Sequence, residues 1–266
     1  MTSLGESVPG GWPVLFAQTA ASAGEALRPG GVYRGLMMVA TVVSLVFWIR
    51  LGRRDSRLLY LWLSALIGAF AGAKLAYIAA EGWRDWGQPN LLQRWLTGKS
   101  VLGALLGGYA TVEMVKAAMG YRKPTGDWFA MMVPFGIALG RVGCWVNGCC
   151  LGHVCERPAW WTIPDVHGVA RWPAVPLEFL FNIIAGLLML LLKRAHAFPG
   201  NLFHLYLMAY GLFRFGHEFF RDTPRVLGPL SGYALLALAL TALGAIRFHQ
   251  RRASGVSPAD CQVLQQ

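Results

Sequence analysis

The sequence predicts an all-α polytopic membrane protein of about seven transmembrane helices, with the N-terminus outside and the C-terminus cytoplasmic. Three observations predict it. First, 55% of the 266 residues are hydrophobic and only 14% are charged, whereas a soluble domain carries roughly a quarter charged residues; the mean hydropathy is +0.45. Second, apolar stretches long enough to cross about 30 Å of hydrocarbon, which takes roughly 20 residues, recur along the chain with short loops between them. They leave no room for a second large soluble domain. Third, arginine and lysine gather in alternate loops, as the positive-inside rule expects. The net charge of +11 therefore reports orientation. A nucleic-acid partner would need a basic face on a soluble fold or a recognisable binding module, and neither is present.

The first span is predicted over residues 35–49, its apolar run starting nearer Val32, and it ends on Arg50, Arg53, Arg54 and Arg57. That side is expected to be cytoplasmic. The second, over 58–80, leads to a loop of mixed sign with Glu81, Trp83, Arg84, Asp85, Trp86 and Pro89, a composition suited to the outer interface. The third covers 101–119 and ends near Lys116, Arg122 and Lys123; the fourth covers 127–146. The fifth, 175–192, precedes Lys193, Arg194 and His196. A sixth over 201–220 and a seventh over 230–248 complete the set, the last ending on Arg247, Arg251 and Arg252. Residues 1–30 lack the pattern of a signal peptide and are expected to form an outer arm. Residues 31–252 then make the seven-helix domain, and 253–266 a polar, disordered cytoplasmic tail. No internal repeat is visible, which weakens a transporter reading built on inverted halves.

Ionisable side chains inside spans cost a few kcal/mol each unless they meet a partner or water, so Lys74, Arg141, Arg214 and Glu218 are candidate functional residues. In the sixth span Tyr210, Arg214, His217, Glu218 and Arg221 follow at separations of 4, 3, 1 and 3, which puts them on one helical face. That face must meet a cavity or other helices. An Arg214–Glu218 ion pair that fixes helix packing is the plain alternative. In the fourth span Asp127, Pro134 and Arg141 share a face at seven-residue steps.

Arg141 opens the densest motif. Residues 140–152 contain four glycines, Gly140, Gly143, Gly148 and Gly152, with Asn147 between them. Glycine permits close backbone approach to a ligand, and a guanidinium matches a phosphate as a planar, permanently charged fork. A tight turn in which glycine serves only helix contact is the alternative. Gly103, Gly107 and Gly108 in the third span follow the small-residue spacing common in membrane helices. Four of the five cysteines, Cys144, Cys149, Cys150 and Cys155, fall within twelve positions. Together with His153 their spacing matches no standard zinc pattern, and at an oxidising outer surface a disulfide is favoured over zinc. No metal and no cofactor are expected.

In its order of motifs the chain resembles the prolipoprotein diacylglyceryl transferases. The resemblance rests on the run from Gly72 to Tyr77, the glycine-rich stretch from Gly98 to Gly108, and Asp127 followed by Pro134, Phe135 and Gly136. It continues through Gly140-Arg141-Val142-Gly143 with Asn147, Gly148 and Gly152, then Pro173 with Glu178, and ends on Tyr210-Gly211-Leu212-Phe213-Arg214 with Glu218-Phe219-Phe220-Arg221. It implies an outward-facing active site in a bacterial inner membrane. It further implies transfer of diacylglycerol from phosphatidylglycerol to the cysteine thiol of a lipoprotein precursor, with release of glycerol phosphate. By motif match, Arg141 and Arg214 are implied as the essential arginines; Gly143, Asn147, Gly152, Tyr210, Glu178 and Lys74 as substrate-binding positions; and Asp127 and Glu218 as structural support.

The departures are informative. The family's histidine-glycine-glycine motif stands here as Leu102-Gly103-Ala104, so a histidine often assigned as the base is missing. The span-one tyrosine is replaced by Arg34, with Tyr33 adjacent, and the asparagine and glutamate of the arginine signature are Cys144 and Cys149. The sequence is that of a divergent paralogue. Attack of a thiolate on a glyceryl carbon expels a phosphate ester, and fixed guanidinium groups in a dry site stabilise the growing charge. Both arginines remain, while the base, worth about 10²- to 10⁴-fold in rate, does not. A different acceptor and a non-catalytic lipid-binding protein are the alternative functions.

Overall fold

The structure is a computed structural model that describes residues 31–53 and 55–253. The expected outer arm, Arg54, and the expected tail beyond Ala253 with Cys261 lie outside the described residues. Among the described residues the helices are α1 (Gly31–Gly52), α2 (Arg57–Ala80), α3 (Leu91–Thr97), α4 (Val101–Ala118), α5 (Gly126–Val146), α6 (Ala174–Arg194), α7 (Leu202–Glu218) and α8 (Gly232–Ala253). Six of them, all but α3 and α7, are long and apolar enough to cross a membrane. Their outward faces carry Val39, Val43, Ile67, Phe70, Ile184, Leu191 and Ile246, all exposed, as lipid contact requires and water would penalise.

The expected sixth span, α7, has 17 residues, one turn shorter than its neighbours, and rises about 25 Å. At its start, the Asp127 carboxylate on the first turn of α5 accepts the backbone N–H groups of Gly200 (2.8 Å) and Leu202 (3.1 Å). At its far end, Arg214 pairs with Glu218. Buried residues of α7 include His204, Tyr206, Leu207, Tyr210, Arg214, His217 and Glu218. Its charged side chains are buried against protein while Leu212 is exposed, so its polar content carries no lipid penalty.

Asp127, implied by the motif match as structural support, caps the end of α7 remote from the arginines. Asp127→Ala is expected to cost about 1–2 kcal/mol of stability, the range for a lost N-cap, while turnover per folded molecule is retained; thermal denaturation in detergent alongside activity checks both.

The tightest helix pair is α2 with α4, and glycine is the reason. A Cβ added at Gly72 would stand 2.8 Å from the Gly107 Cα, and one at Gly107 would stand 2.8 Å from the Gly72 Cα. The backbones touch there, and Thr111 Oγ1 donates to Ser64 O at 2.8 Å across the seam. The glycine run of the third span thus serves helix packing.

The main core gathers Leu102, Leu105, Tyr109, Ala130, Leu202, Phe203, Tyr206, Leu207, Tyr210 and Leu240. A second cluster, around Trp48, Leu58, Leu61 and Trp62, ties α1 to α2. Smaller elements sit in the loops at the end holding Arg141. They are a 3-10 turn (Gly82–Asp85), α3, and two hairpins, β1 (Ile163–Pro164) with β2 (Ala170–Arg171), and β3 (Arg225–Leu227) with β4 (Leu230–Ser231).

Candidate active site

Three helices deliver charge to one buried place. Arg141 comes from the penultimate turn of α5, Glu178 from the second turn of α6, and Tyr210, Arg214 and Glu218 from the C-terminal half of α7. Glu178 is wholly buried and is the hub. Its Oε1 lies 2.9 Å from Arg141 Nη2 and accepts the Tyr210 hydroxyl at 2.6 Å, while its Oε2 lies 3.8 Å from Arg221 Nη1. Its backbone carbonyl accepts Asn182 Nδ2 at 2.8 Å, and Asn182 Oδ1 in turn accepts the Tyr206 hydroxyl at 2.8 Å. That chain of contacts holds the α6–α7 spacing.

Glu218, also wholly buried, pairs with Arg214 (Oε2 to Nη2, 2.9 Å) and lies 3.9 Å from Arg221 Nε. Its Oε1 accepts Thr223 Oγ1 at 2.7 Å and Ser231 Oγ at 3.0 Å. The packing ion pair expected from sequence is therefore present. It does not exhaust the cations, because Arg214 Nε and Nη1 and Arg221 Nε and Nη1 are buried without a hydrogen-bond partner. Among the described residues here, three guanidinium groups face two carboxylates.

Arg221 and His217 were on the charged face recognised in the sequence but outside the site as assigned. Arg221 touches both glutamates. His217 is buried with neither ring nitrogen partnered, its ring stacked on Phe213 at 5.0 Å. Arg221 stands in the last block of the motif match and His217 was legible only as helical phase, and neither signal says what they meet.

Gly143 is buried inside α5 and Asn147 caps its C-terminus. Beyond them the chain turns back through Gly148 (φ +59°) and Cys150 (φ +63°). A left-handed conformation costs a non-glycine residue about 1–2 kcal/mol, so Cys150 is kept against local preference. This return brings Cys144, Cys149 and Cys150 together, with all three sulfurs within 4.8 Å of one another. Arg141 Nη1 donates to Cys144 Sγ at 3.6 Å, and Cys150 Sγ lies 3.9 Å from Cys144 Sγ. Hydrogen bonding to Cys144 and Cys149, then the positive charge of Arg141 and Arg221, favours the ionised Cys150 thiol. Cys155 stands apart, its Sγ 4.0 Å from the His153 carbonyl. All four are free thiols, so the expected disulfide is not formed here.

Gly152 bridges Arg221 in an isolated antiparallel pair, and its carbonyl accepts Arg171 Nη1 at 3.1 Å. A Cβ there would stand 2.6 Å from the Trp172 Cβ and would strike the Trp172 carbonyl. Gly152→Ala is expected to cost about 1–3 kcal/mol, as overpacking does, and to reduce turnover by displacing Arg221. Retained melting temperature and turnover would contradict this. Over the turn, Trp172 stacks on Phe220 at 4.4 Å and Trp161 meets Trp172 at 5.2 Å.

Lys74 does not join the cluster. Its Nζ donates to the carbonyls of Trp95 (3.3 Å), Leu96 and Gly98 (3.0 Å), closing the C-terminus of α3, where a cation suits the exposed carbonyls. Leu102, standing where the family has its histidine, is buried in the apolar core. It offers no proton acceptor.

Comparison with known proteins agrees with this arrangement. The family model described as prolipoprotein diacylglyceryl transferase matches residues 31–249. The phosphatidylglycerol–prolipoprotein diacylglyceryl transferase of Mannheimia succiniciproducens is 30% identical over 189 residues, 67% of this chain and 70% of the relative. That of Geobacter sulfurreducens is 31% identical over 213 residues, 74% of this chain and 80% of the relative. That of Methylobacillus flagellatus is 31% identical over 187 residues, 66% of this chain and 68% of the relative. With over four-fifths of its length matched and the arginines, glutamates and glycines of the motif gathered at one end of the bundle, the chain belongs to the prolipoprotein diacylglyceryl transferase family.

Proposed function

We propose that this protein is a multi-pass enzyme of the bacterial inner membrane that transfers the diacylglyceryl group of phosphatidylglycerol to the cysteine thiol of a lipoprotein precursor, releasing glycerol phosphate. The observation that carries this is the buried guanidinium of Arg214, whose Nε and Nη1 have no hydrogen-bond partner, beside Arg141 and Arg221. The acceptor sulfur attacks the glyceryl carbon, a C–S bond forms, and the C–O bond to phosphate breaks with its electrons leaving on oxygen. Guanidinium N–H groups already fixed around that oxygen stabilise the transition state more than the ground state. Glu178 and Glu218 hold two of the arginines in place, which leaves the remaining donors for the lipid.

The orientation that suits this reading has the arginine end outside. The opposite end of the bundle carries Arg50, Arg53, Arg57, Lys116, Arg122, Lys123, Lys193, Arg194, Arg247, Arg251 and Arg252 at or between helix ends, the bias of a cytoplasmic face. The motif departures at Leu102, Cys144 and Cys149 mark a divergent member, and the lipoprotein cysteine is its acceptor. The test is purified protein with labelled phosphatidylglycerol and a peptide carrying a lipobox cysteine, read by mass spectrometry. A thioether-linked diacylglyceryl peptide is expected. Lipid bound without turnover would make the protein a lipid-binding relative, and lipid consumed without peptide product would assign another acceptor.

A further inference from the structure

We infer that Cys144, Cys149 and Cys150 form a three-thiolate zinc site whose open fourth position takes the acceptor thiol as thiolate. This rests on the transferase reading for the role of the fourth ligand, and on geometry alone for the site.

The geometry is that of metal ligation. With Zn–S bonds of about 2.3 Å, tetrahedral geometry places ligand sulfurs about 3.8 Å apart; Cys144 Sγ and Cys150 Sγ are 3.9 Å apart, and the third sulfur lies within 4.8 Å of both. A disulfide would use two of these thiols and leave the convergence of the third without a reason. The spacing in sequence hides the site because it depends on a turn. Cys144 lies in the last turn of α5, and the left-handed residues Gly148 and Cys150 fold the chain back so that the Cys149 N–H donates to Cys144 O at 3.1 Å.

The ligand count then decides the class of site. Structural zinc sites are closed by four protein ligands, whereas catalytic ones use three and keep a position open. Among the described residues no fourth histidine, cysteine or carboxylate joins the three. His153 Nδ1 is directed at the Phe220 carbonyl at 3.0 Å. Zinc on three thiolates carries a net charge of −1, and Arg141 Nη1 stands 3.6 Å from Cys144 Sγ to face it. Cys149 is exposed, so metal and acceptor have a way in.

The site supplies what the missing histidine would have supplied. An incoming thiol that binds zinc loses its proton to water, because a coordinating thiol is deprotonated outright. The bound thiolate then attacks the glyceryl carbon, forming the C–S bond as the phosphate oxygen departs with the electrons of the C–O bond. The thioether product is neutral and a weak ligand, so it leaves the metal. No oxidant or reductant takes part.

The experiment starts from the full chain purified in detergent with reductant and dialysed against zinc. One zinc per chain is expected by elemental mass spectrometry. It should be lost in each of Cys144→Ser, Cys149→Ser and Cys150→Ser and kept in Cys155→Ser. Because Cys144 is buried, the Cys149 and Cys150 variants carry the result if Cys144→Ser fails to fold. The cobalt-substituted protein is expected to show thiolate charge-transfer absorption, and its visible bands should change with a lipobox peptide but not with the peptide whose cysteine is serine. Folded protein without zinc, zinc retained in the Cys149 and Cys150 variants, or cobalt bands indifferent to the thiol would each overturn the proposal. Thioether product from zinc-free protein would sink the site and leave the transferase standing. Should that turnover vanish in His217→Gln, the proton acceptor is imidazole instead. Zinc bound and thiol-sensitive without any thioether would do the reverse, sinking the transferase and keeping the site.

Discussion

Arg214→Lys and Arg141→Lys are each expected to lower turnover of phosphatidylglycerol by at least about 100-fold in a protein that still folds. The charge survives in both, but the planar fork does not. Arg214 keeps one arm on Glu218 at 2.9 Å and has Nε and Nη1 left over. A lysine ammonium has no such division, because it is a single point of charge on a flexible stem. It would sit on the glutamate or on the phosphate. Removing one preorganised donor from a transition-state oxyanion costs about 10²- to 10³-fold, and these substitutions remove at least that much. Arg141 divides in the same way, with Nη2 on Glu178 and Nη1 toward Cys144. The measurement is the single-turnover rate with saturating lipid, together with a melting curve for each variant. Near-normal rates in both would remove phosphate recognition by these residues from the mechanism.

Glu178→Gln is expected to be the most destabilising single change at the site, by about 3–5 kcal/mol, the range for breaking a buried ion pair from one side. Glutamine is nearly isosteric, so the loss is one of charge. Arg141, 7% exposed, and the nearby Arg221 would both keep their positive charge in a place that no longer answers it, and the Tyr210 hydroxyl would lose a charged acceptor for a neutral one. Activity should fall together with stability. Loss of turnover at unchanged melting temperature would instead give the Glu178 carboxylate a direct part in the chemistry.

The fold was legible because membrane insertion imposes local requirements. A span has to be apolar over its own length whatever it packs against, so the six long apolar helices were readable within a few residues of their ends. The elements missed were α3, the 3-10 turn and the hairpins. They lie in loops whose short segments are held by contacts such as Lys74 on the α3 carbonyls, and no period in the sequence announces such contacts.

What the sequence by itself determined was which residues had to be explained. Charges at 141, 214 and 218 cannot stand in hydrocarbon without partners, and helical phase placed Tyr210, His217 and Arg221 on the face that carries Arg214. Only the tertiary structure decided what those residues meet. Glu178 became the hub because side chains of α5 and α7 reach it, Asp127 and Lys74 were taken up by backbone groups at helix ends, and Gly152 was required by the approach of Trp172. Three cysteines at separations of 5 and 1 came together through two left-handed residues. Burial of a charge is a local cost written in one segment, whereas its compensation comes from segments far apart in the chain, and those meet only when the helices pack.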